Sequence, residues 1–228
     1  MNRKTLLAAF LCLACGLILA PALASRSQLA GLPIDSLAVW NPSPRALSAI
    51  RGKCGSGGDP AAINQCFLAR MEKARATLQA VAFAKSFASS GLAYLRAFRK
   101  VGPVDIAYIE YAFRANELEG VLLVNGEPSP LNVDDAKFLA PENFSKDPNY
   151  AALAAKYPQI SVWPGDRFHL DKPSVQRLAS GAPAFAVDYI LRDGCHACAP
   201  IGTATLNFSF DQRGNFTGVQ LQSVIARP

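Results

Sequence analysis

Apolar residues in the first part of the chain recur at helical spacing after clear helix-start signals. Ser43-Pro44 and Asp59-Pro60 each combine a capping side chain with proline at the first helical position. We therefore predict one helix from Arg45 to Lys53 and a second after Pro60. The second has a single apolar face formed by Ile63, Phe67 and Met71. Thr77 can cap a third helix.

The same spacing continues through residues 78–98. Apolar positions at roughly every third or fourth residue predict that the helical pattern runs on until Gly102-Pro103 ends it. We therefore expect residues 25–103 to form a helical region. The apolar positions used are Leu78, Val81, Ala82, Phe87, Leu92, Leu95, Ala97 and Phe98.

After Pro103 the pattern changes to β-branched and aromatic residues, which favour strands. Residues 104–113 predict one strand, and residues 121–124 predict another that runs into Asn125-Gly126, a strong hairpin signal. Pro128 and Pro130 cannot donate backbone hydrogen bonds, so the returning strand is expected at a sheet edge.

The C-terminal part predicts one more helix and several strands. Asp147-Pro148 starts a helix that runs to about Tyr157, and residues 160–163 are extended. Three strands follow, at 185–191, 203–211 and 216–224. The chain is thus predicted to be α+β: a helical N-terminal third followed by an antiparallel sheet with a C-terminal three-stranded meander packed on helices. Residues 104–228 are expected to form a β-rich region. The sequence leaves open whether this region and the helices form one continuous α+β domain.

The first 24 residues have the pattern of a cleavable export signal. Arg3 and Lys4 precede the apolar run 6–20, and Ala22-Leu23-Ala24 offers small residues for cleavage after Pro21. A retained membrane anchor is the alternative, because the apolar run is close to the length that spans a bilayer. Cleavage predicts a periplasmic or secreted protein without a stable membrane span, and it removes Cys12 and Cys15.

Four cysteines remain after the signal, an even number that indicates disulfides in an exported protein. Four cysteines allow three pairings, and proximity in sequence favours Cys54–Cys66 together with Cys195–Cys198. Half of all residues are apolar and 18% are charged, which is typical of a globular chain.

Charge is distributed unevenly between the two regions. Residues 25–103 carry eleven Lys or Arg and three acids, whereas residues 104–228 carry ten basic residues and fourteen acids. This imbalance predicts an anionic partner for the first region or a fit between the two regions. Nucleic acid is not expected, since no aromatic residues alternate with the charges. The candidate anion-binding residues are Arg70, Lys73, Arg75, Lys85, Arg96, Arg99 and Lys100.

The sharpest chemical motif is Cys195-His196-Ala197-Cys198. A CxxC pair with an intervening histidine can form a redox centre, but such centres lie at helix N-termini, whereas this motif falls between two predicted strands. We therefore favour a structural disulfide that closes a loop. With only two histidines in the chain, a four-ligand zinc site is disfavoured. Haem attachment is excluded because alanine, not histidine, follows Cys198.

A second candidate is the loop edge after the first predicted strand. Arg114, Asn116 and Glu117 place a cation, an amide and a carboxylate close together, where they could orient a polar ligand. A solvated turn is the alternative. His169 is expected to be packed rather than catalytic, and the sequence predicts no metal, no cofactor and no catalytic residue.

The stretch 193–198, with the strands that follow, resembles uncharacterised exported (periplasmic) bacterial proteins with a C-terminal DGCHAC motif. The resemblance covers the C-terminal third and implies no activity, and the outline also resembles small sheets of the cystatin or nuclear-transport-factor kind. We predict a periplasmic, disulfide-stabilised, non-enzymatic binding or accessory protein of the cell envelope. Its partner would be an anionic envelope component or another exported protein. The alternative is a thiol–disulfide oxidoreductase or redox sensor that uses Cys195 and Cys198.

Overall fold

The computed structural model describes residues 34–55, 58–114, 119–165 and 172–227. The predicted export signal lies outside these residues, and so do its two cysteines. Three further residues that the sequence singled out are also outside them: Asn116, Glu117 and His169.

A 3-10 helix at Ser36–Ala38 and then three α-helices open the described chain, and the starts of the α-helices confirm the sequence signals. Helix α1 is Pro44–Cys54, α2 is Pro60–Lys73 and α3 is Leu78–Ser86. Each begins after a side chain that accepts hydrogen bonds from free amides of the first turn, as an N-cap does. The capping residues are Ser43, Asp59 and Thr77.

Two antiparallel sheets follow. The first, in the order β1-β2-β3-β4, consists of β1 (Ala93–Arg99), β2 (Asp105–Tyr111), β3 (Glu119–Val124) and β4 (Leu131–Asn132). The two-residue β4 lies at the edge, where the prolines predicted it. The sequence did not predict the four-residue helix α4 (Ala136–Leu139) that follows, whereas α5 (Pro148–Lys156) confirms the helix expected after Asp147.

The second sheet contains the predicted meander. Its strands are β5 (Ile160–Pro164), β6 (Ser174–Arg177), β7 (Pro183–Asp193), β8 (Pro200–Phe210) and β9 (Phe216–Ala226). The order is β5-β7-β8-β9, with β6 also paired to β7. The strands β7, β8 and β9 confirm the three-stranded meander and the α+β class, while β6 was not predicted.

One predicted element is wrong: residues 93–99 form strand β1, not the end of a helix. Gly91 and Leu92 have φ angles of +108° and +50°, which break the helix before the strand begins. A bulge between Leu95 and Ala97 then shifts the alternation, so that apolar residues fall at a spacing that imitates a helix.

The first sheet lies between the helices and the second sheet. One of its faces packs with Phe83 of α3 in a buried cluster that includes Leu95 and Ile109. Its other face, with Ile106 and Tyr108, shares a buried cluster with the second sheet. The meander was expected to pack on helices, and it does so in part: Phe138 of α4 packs edge-to-face on Phe208 and Phe216. The same buried cluster also contains the apolar face of the first sheet, which the sequence analysis did not foresee as a partner of the meander. Helix α5 covers part of β9.

No helix within the described ranges is both long enough and apolar enough to cross a bilayer.

Candidate functional site

A cleft of about 390 Å³ opens where an edge of the first sheet meets strand β5 of the second. Its lining combines both signs of charge with aromatic rings, which distinguishes it from an ordinary apolar gap. The first sheet and the loops that follow it contribute one side, and β5 contributes the other. The lining residues are Tyr111, Arg114, Glu119, Asn132, Asp134, Ala136, Leu139, Val162, Trp163 and Pro164.

Arg114 is held flat at one side of the cleft. Its guanidinium carbon lies 3.4 Å from the centre of the Tyr111 ring, the geometry of a cation–π contact. Its Nη2 donates to the Ser90 carbonyl oxygen at 3.3 Å, which fixes the plane of the group. A guanidinium held in this way presents its other donors as a fork, and a carboxylate can accept two of them.

Trp163 lines the opposite side and is fixed by hydrogen bonds of its indole nitrogen. Nε1 donates to Ser161 Oγ at 2.7 Å and to the Gly194 carbonyl oxygen at 3.3 Å. The hydroxyl of Ser161 also donates to the Gly194 carbonyl. The ring of His196 packs edge-to-face on Trp163, with 5.1 Å between ring centres. The CxxC loop therefore contacts a residue that also lines the cleft.

Two acidic residues, Glu119 and Asp134, line the same cleft as Arg114. Glu119 begins β3, directly opposite Glu110 of β2, so both carboxylates lie on the same face of the sheet. Asp134 follows β4, and its backbone amide donates to the Asn132 side-chain oxygen at 3.0 Å, which shapes the turn. The lining of the cleft thus includes one cation and two carboxylates.

Beneath this edge lies a buried ionic network that the sequence analysis missed. Glu110 is 5% exposed and accepts from Arg51 Nη2 at 3.0 Å and from Arg96 Nη1 at 2.5 Å. Arg51 Nε also donates to the Ala112 carbonyl oxygen at 2.6 Å. The network thus fixes the end of β2 next to Tyr111, and it anchors α1 on the sheet.

Burial raises the pKa of Tyr94 well above its ordinary value of 10.0, and the charge of Glu110 and a hydrogen bond to it raise it further. Tyr94 packs edge-to-face on Trp40, with ring centres 5.1 Å apart. Its hydroxyl therefore stays protonated beside the carboxylate at all ordinary pH values.

Comparison with known proteins adds no identity to this geometry. No protein-family model, no curated protein and no solved structure matches the chain. The resemblance to exported proteins with a DGCHAC motif therefore stays a prediction.

Both disulfides have the predicted pairing. Cys54 at the end of α1 bonds Cys66 of α2, with 5.5 Å between Cα atoms. Cys195 bonds Cys198 across 5.0 Å, within the turn between β7 and β8. As expected, this second pair lies between strands rather than at a helix N-terminus. Cys195 and His196 are exposed, so a redox role of the loop stays a prediction.

The seven candidate anion-binding residues lie on several elements, not on one helical surface. Arg70 and Lys73 lie on α2 and Lys85 on α3, and Arg75 follows α2 directly. The other three lie on or just after β1. Among these, Arg96 pairs with Glu110 and Arg99 donates to the Pro173 carbonyl, so both make internal contacts; Lys100 is exposed.

Of the predicted polar loop edge, Arg114 lies in the cleft, and Asn116 and Glu117 are outside the described residues. The sequence analysis named none of three other lining residues, Glu119, Asp134 and Trp163, as a site residue. A signal was available for Trp163: a tryptophan followed by Pro164-Gly165 at the end of a short extended segment. Its contact with the CxxC loop comes from tertiary pairing that no local pattern encodes.

Proposed function

We propose that this chain is an exported, disulfide-stabilised and non-enzymatic binding or accessory protein whose cleft holds a small zwitterionic ligand. The ligand class is that of a free amino acid or short peptide, with a carboxylate and an ammonium group close together. The observation that carries the proposal is the juxtaposition of Arg114 with Glu119 and Asp134 in one cleft lined by Trp163.

Each group of such a ligand has a counterpart in the cleft. The ligand carboxylate would accept the guanidinium fork of Arg114, whose plane is already set by Tyr111 and Ser90. The ammonium group would lie toward Glu119 and Asp134, and the apolar part would lie against the ring of Trp163. Arg114 and Trp163 are already held by contacts within the protein. They therefore lose less conformational entropy when a ligand binds, and this favours binding.

The size of the cleft agrees with this class. Its volume of about 390 Å³ lies near the lower end of the range of about 300–1,000 Å³ that small-molecule sites occupy. One or two amino-acid units would fill it. Export is supported by the signal pattern of the first 24 residues and by two disulfides, which persist in oxidising compartments.

The proposal is tested by calorimetric titration with L-alanyl-L-alanine, its N-acetyl derivative and its C-terminal amide. We expect the zwitterion to bind and each blocked form to bind at least about tenfold more weakly, since one charge-assisted contact is lost. Arg114→Gln should abolish the preference for the free carboxylate. The matched control is Arg45→Gln, which changes an exposed arginine on α1.

Absence of binding by a panel of zwitterionic dipeptides at millimolar concentration would contradict the proposal. Equal affinity for the free and blocked peptides, or equal loss in the two arginine variants, would also contradict it.

A thiol–disulfide oxidoreductase remains the second candidate because Cys195 is exposed and His196 is its neighbour. A histidine beside a thiol favours the thiolate, which is the nucleophile in exchange. This candidate predicts catalysed reduction or oxidation of a model disulfide substrate, lost in Cys195→Ser with the fold intact. A rate equal to that of the uncatalysed reaction would exclude it.

A further inference from the structure

We infer that the Cys195–Cys198 disulfide regulates the cleft: the oxidised loop fixes Trp163, and its reduction loosens this residue and weakens ligand binding. The inference rests on the proposed function for its ligand, but its first step, from the disulfide to Trp163, is independent of any ligand. It assigns the CxxC motif a role that is neither catalysis nor general stabilisation.

The disulfide closes a very short loop whose backbone is also tied internally. The amide of Cys198 donates to the Cys195 carbonyl at 2.9 Å, and the amide of Cys195 lies 3.1 Å from Cys198 Sγ. Arg192 Nη1 donates to the Cys198 carbonyl oxygen at 2.6 Å. These bonds fix the loop against the end of β7, and the second of them uses a sulfur atom of the disulfide.

Two contacts connect this loop to Trp163. The Gly194 carbonyl, one residue before Cys195, accepts from both the indole nitrogen and the Ser161 hydroxyl. The His196 ring, inside the disulfide loop, packs on the indole. Gly194 has a φ of +95°, a backbone conformation that L side chains rarely adopt, so the direction of its carbonyl depends on how the loop is held.

Trp163 transmits the state of the loop to the cleft because it lies on an edge strand. Strand β5 pairs only with β7 among the described strands, in a register that sets Trp163 opposite Ile190. Val162 and Pro164, its neighbours on β5, also line the cleft. A change in the loop therefore acts on three consecutive lining residues through one short strand.

The chemistry needs a dithiol reductant, such as an exported dithiol protein. One thiolate of the dithiol attacks a sulfur atom of the Cys195–Cys198 bond and forms a mixed disulfide. Its second thiol resolves this intermediate. Two electrons and two protons pass to the protein, which gains two thiols, while the dithiol becomes a disulfide. Exposure of Cys195 and His196 makes the bond accessible to such a partner.

The test compares two double variants, Cys195→Ala/Cys198→Ala and, as a matched control, Cys54→Ala/Cys66→Ala. The emission of Trp163 and the affinity for alanyl-alanine are measured in both, with circular dichroism to verify the fold. Both variants carry Trp40→Phe, because Trp40 lies in the buried cluster on which Cys54 packs and would otherwise contribute to the emission. In the first variant we expect a red-shifted Trp163 emission and at least about fivefold weaker binding, the scale of common allosteric couplings. The control should keep both values.

A third variant, His196→Ala, keeps the disulfide and removes one contact to Trp163, so it should shift the emission partly. Unchanged emission and affinity in the folded Cys195→Ala/Cys198→Ala variant would overturn the inference, while the proposed function would stand. If no dipeptide binds any form, the proposed function fails, yet a shift in Trp163 emission confined to the Cys195–Cys198 variant still supports the coupling.

Discussion

Glu110 is the residue whose surroundings differ most from what its type would suggest, because a buried carboxylate is stable only when it is paired. Two arginines from separate elements, Arg51 of α1 and Arg96 of β1, neutralise it. Both arginines remain about one-third exposed, so solvent reduces the strength of each pair. The network thus couples the helical layer to the sheet at the edge of the cleft.

Glu110→Ala removes the buried carboxylate that Arg51 and Arg96 share. We expect it to lower the free energy of unfolding by about 2–3 kcal/mol, which chemical denaturation would measure. Lys172→Ala is the control, since it removes the ion pair to Asp188 in which both side chains are about half exposed, and it should cost less than about 1 kcal/mol. Equal losses in the two variants would contradict the role of the network.

Tyr94 makes stability depend on pH in the alkaline range. Its pKa is raised in the folded protein, mainly by burial and then by Glu110, so the folded state holds a proton that the unfolded state loses near pH 10. Stability contributed by Tyr94 is therefore complete below pH 10 and is lost as the pH rises above it. Tyr94→Phe should flatten this decline between pH 9.5 and 11, measured by denaturation; an unchanged slope would contradict the assignment.

Local signals at single residues were reliable, and tertiary contacts were not accessible from them. Ser43, Asp59 and Thr77 cap helices because a cap needs only a side chain and the amides two or three residues ahead. Arg114 was recognised as a candidate, but its place on Tyr111 and opposite Trp163 depends on the pairing of distant strands.

At the scale of elements, strand β1 shows why periodicity alone misled. Both faces of the first sheet are covered, so its strands have little polar alternation: all seven residues of β2 are buried. In β1 the bulge then places apolar residues at a spacing that is typical of a helix. Strand β8 was predicted because its apolar residues alternate clearly: Leu206, Phe208 and Phe210 are buried, and the residues between them are partly exposed.

The close approach of two turns fixes how the sheets meet. A Cβ on Gly126 would lie 2.6 Å from the Gly214 carbonyl oxygen and 2.8 Å from Val104 Cγ2. The amide of Glu127, the next residue, donates to the same Gly214 carbonyl at 2.9 Å. The hairpin signal Asn125-Gly126 therefore serves a contact between sheets as well as a turn.

Gly126→Ala should lower the free energy of unfolding by about 2–3 kcal/mol, because the added methyl group forces two backbone segments apart. Gly52→Ala is the matched control on α1, where a Cβ would meet nothing within 4 Å. It should raise stability by about 0.5–1 kcal/mol, since alanine favours a helix. Thermal unfolding of both variants measures the difference, and destabilisation of equal size would refute the close contact.

At the scale of the whole molecule, the basic and acidic regions share one sheet. Strand β1 belongs to the basic region and pairs with β2 of the acidic region in six registered positions. Part of the charge imbalance is thus compensated within the protein, because Arg51 and Arg96 of the basic region form ion pairs with Glu110 of the acidic region. An anionic envelope partner stays a prediction and depends on the cations that remain exposed, which include Lys73, Arg75, Lys85 and Lys100.

That prediction is tested by retention on an immobilised polyanion in a salt gradient. Lys73→Gln/Lys85→Gln should elute at clearly lower salt than the wild type, because exposed charges are screened as ionic strength rises. Lys137→Gln/Lys156→Gln, which changes two exposed lysines of the acidic region, is the control. Identical elution of the two double variants would exclude the basic residues of α2 and α3 as the surface that binds the polyanion.

The most direct test of the central claim is the fluorescence of Trp163 during titration with alanyl-alanine. The chain has two tryptophans, and Trp40 is 7% exposed in a separate buried cluster, so Trp40→Phe isolates the signal of Trp163. We predict a saturable blue shift and protection from acrylamide quenching, both absent in Arg114→Gln. No change in emission or quenching at saturating dipeptide would contradict a ligand-binding cleft at Trp163.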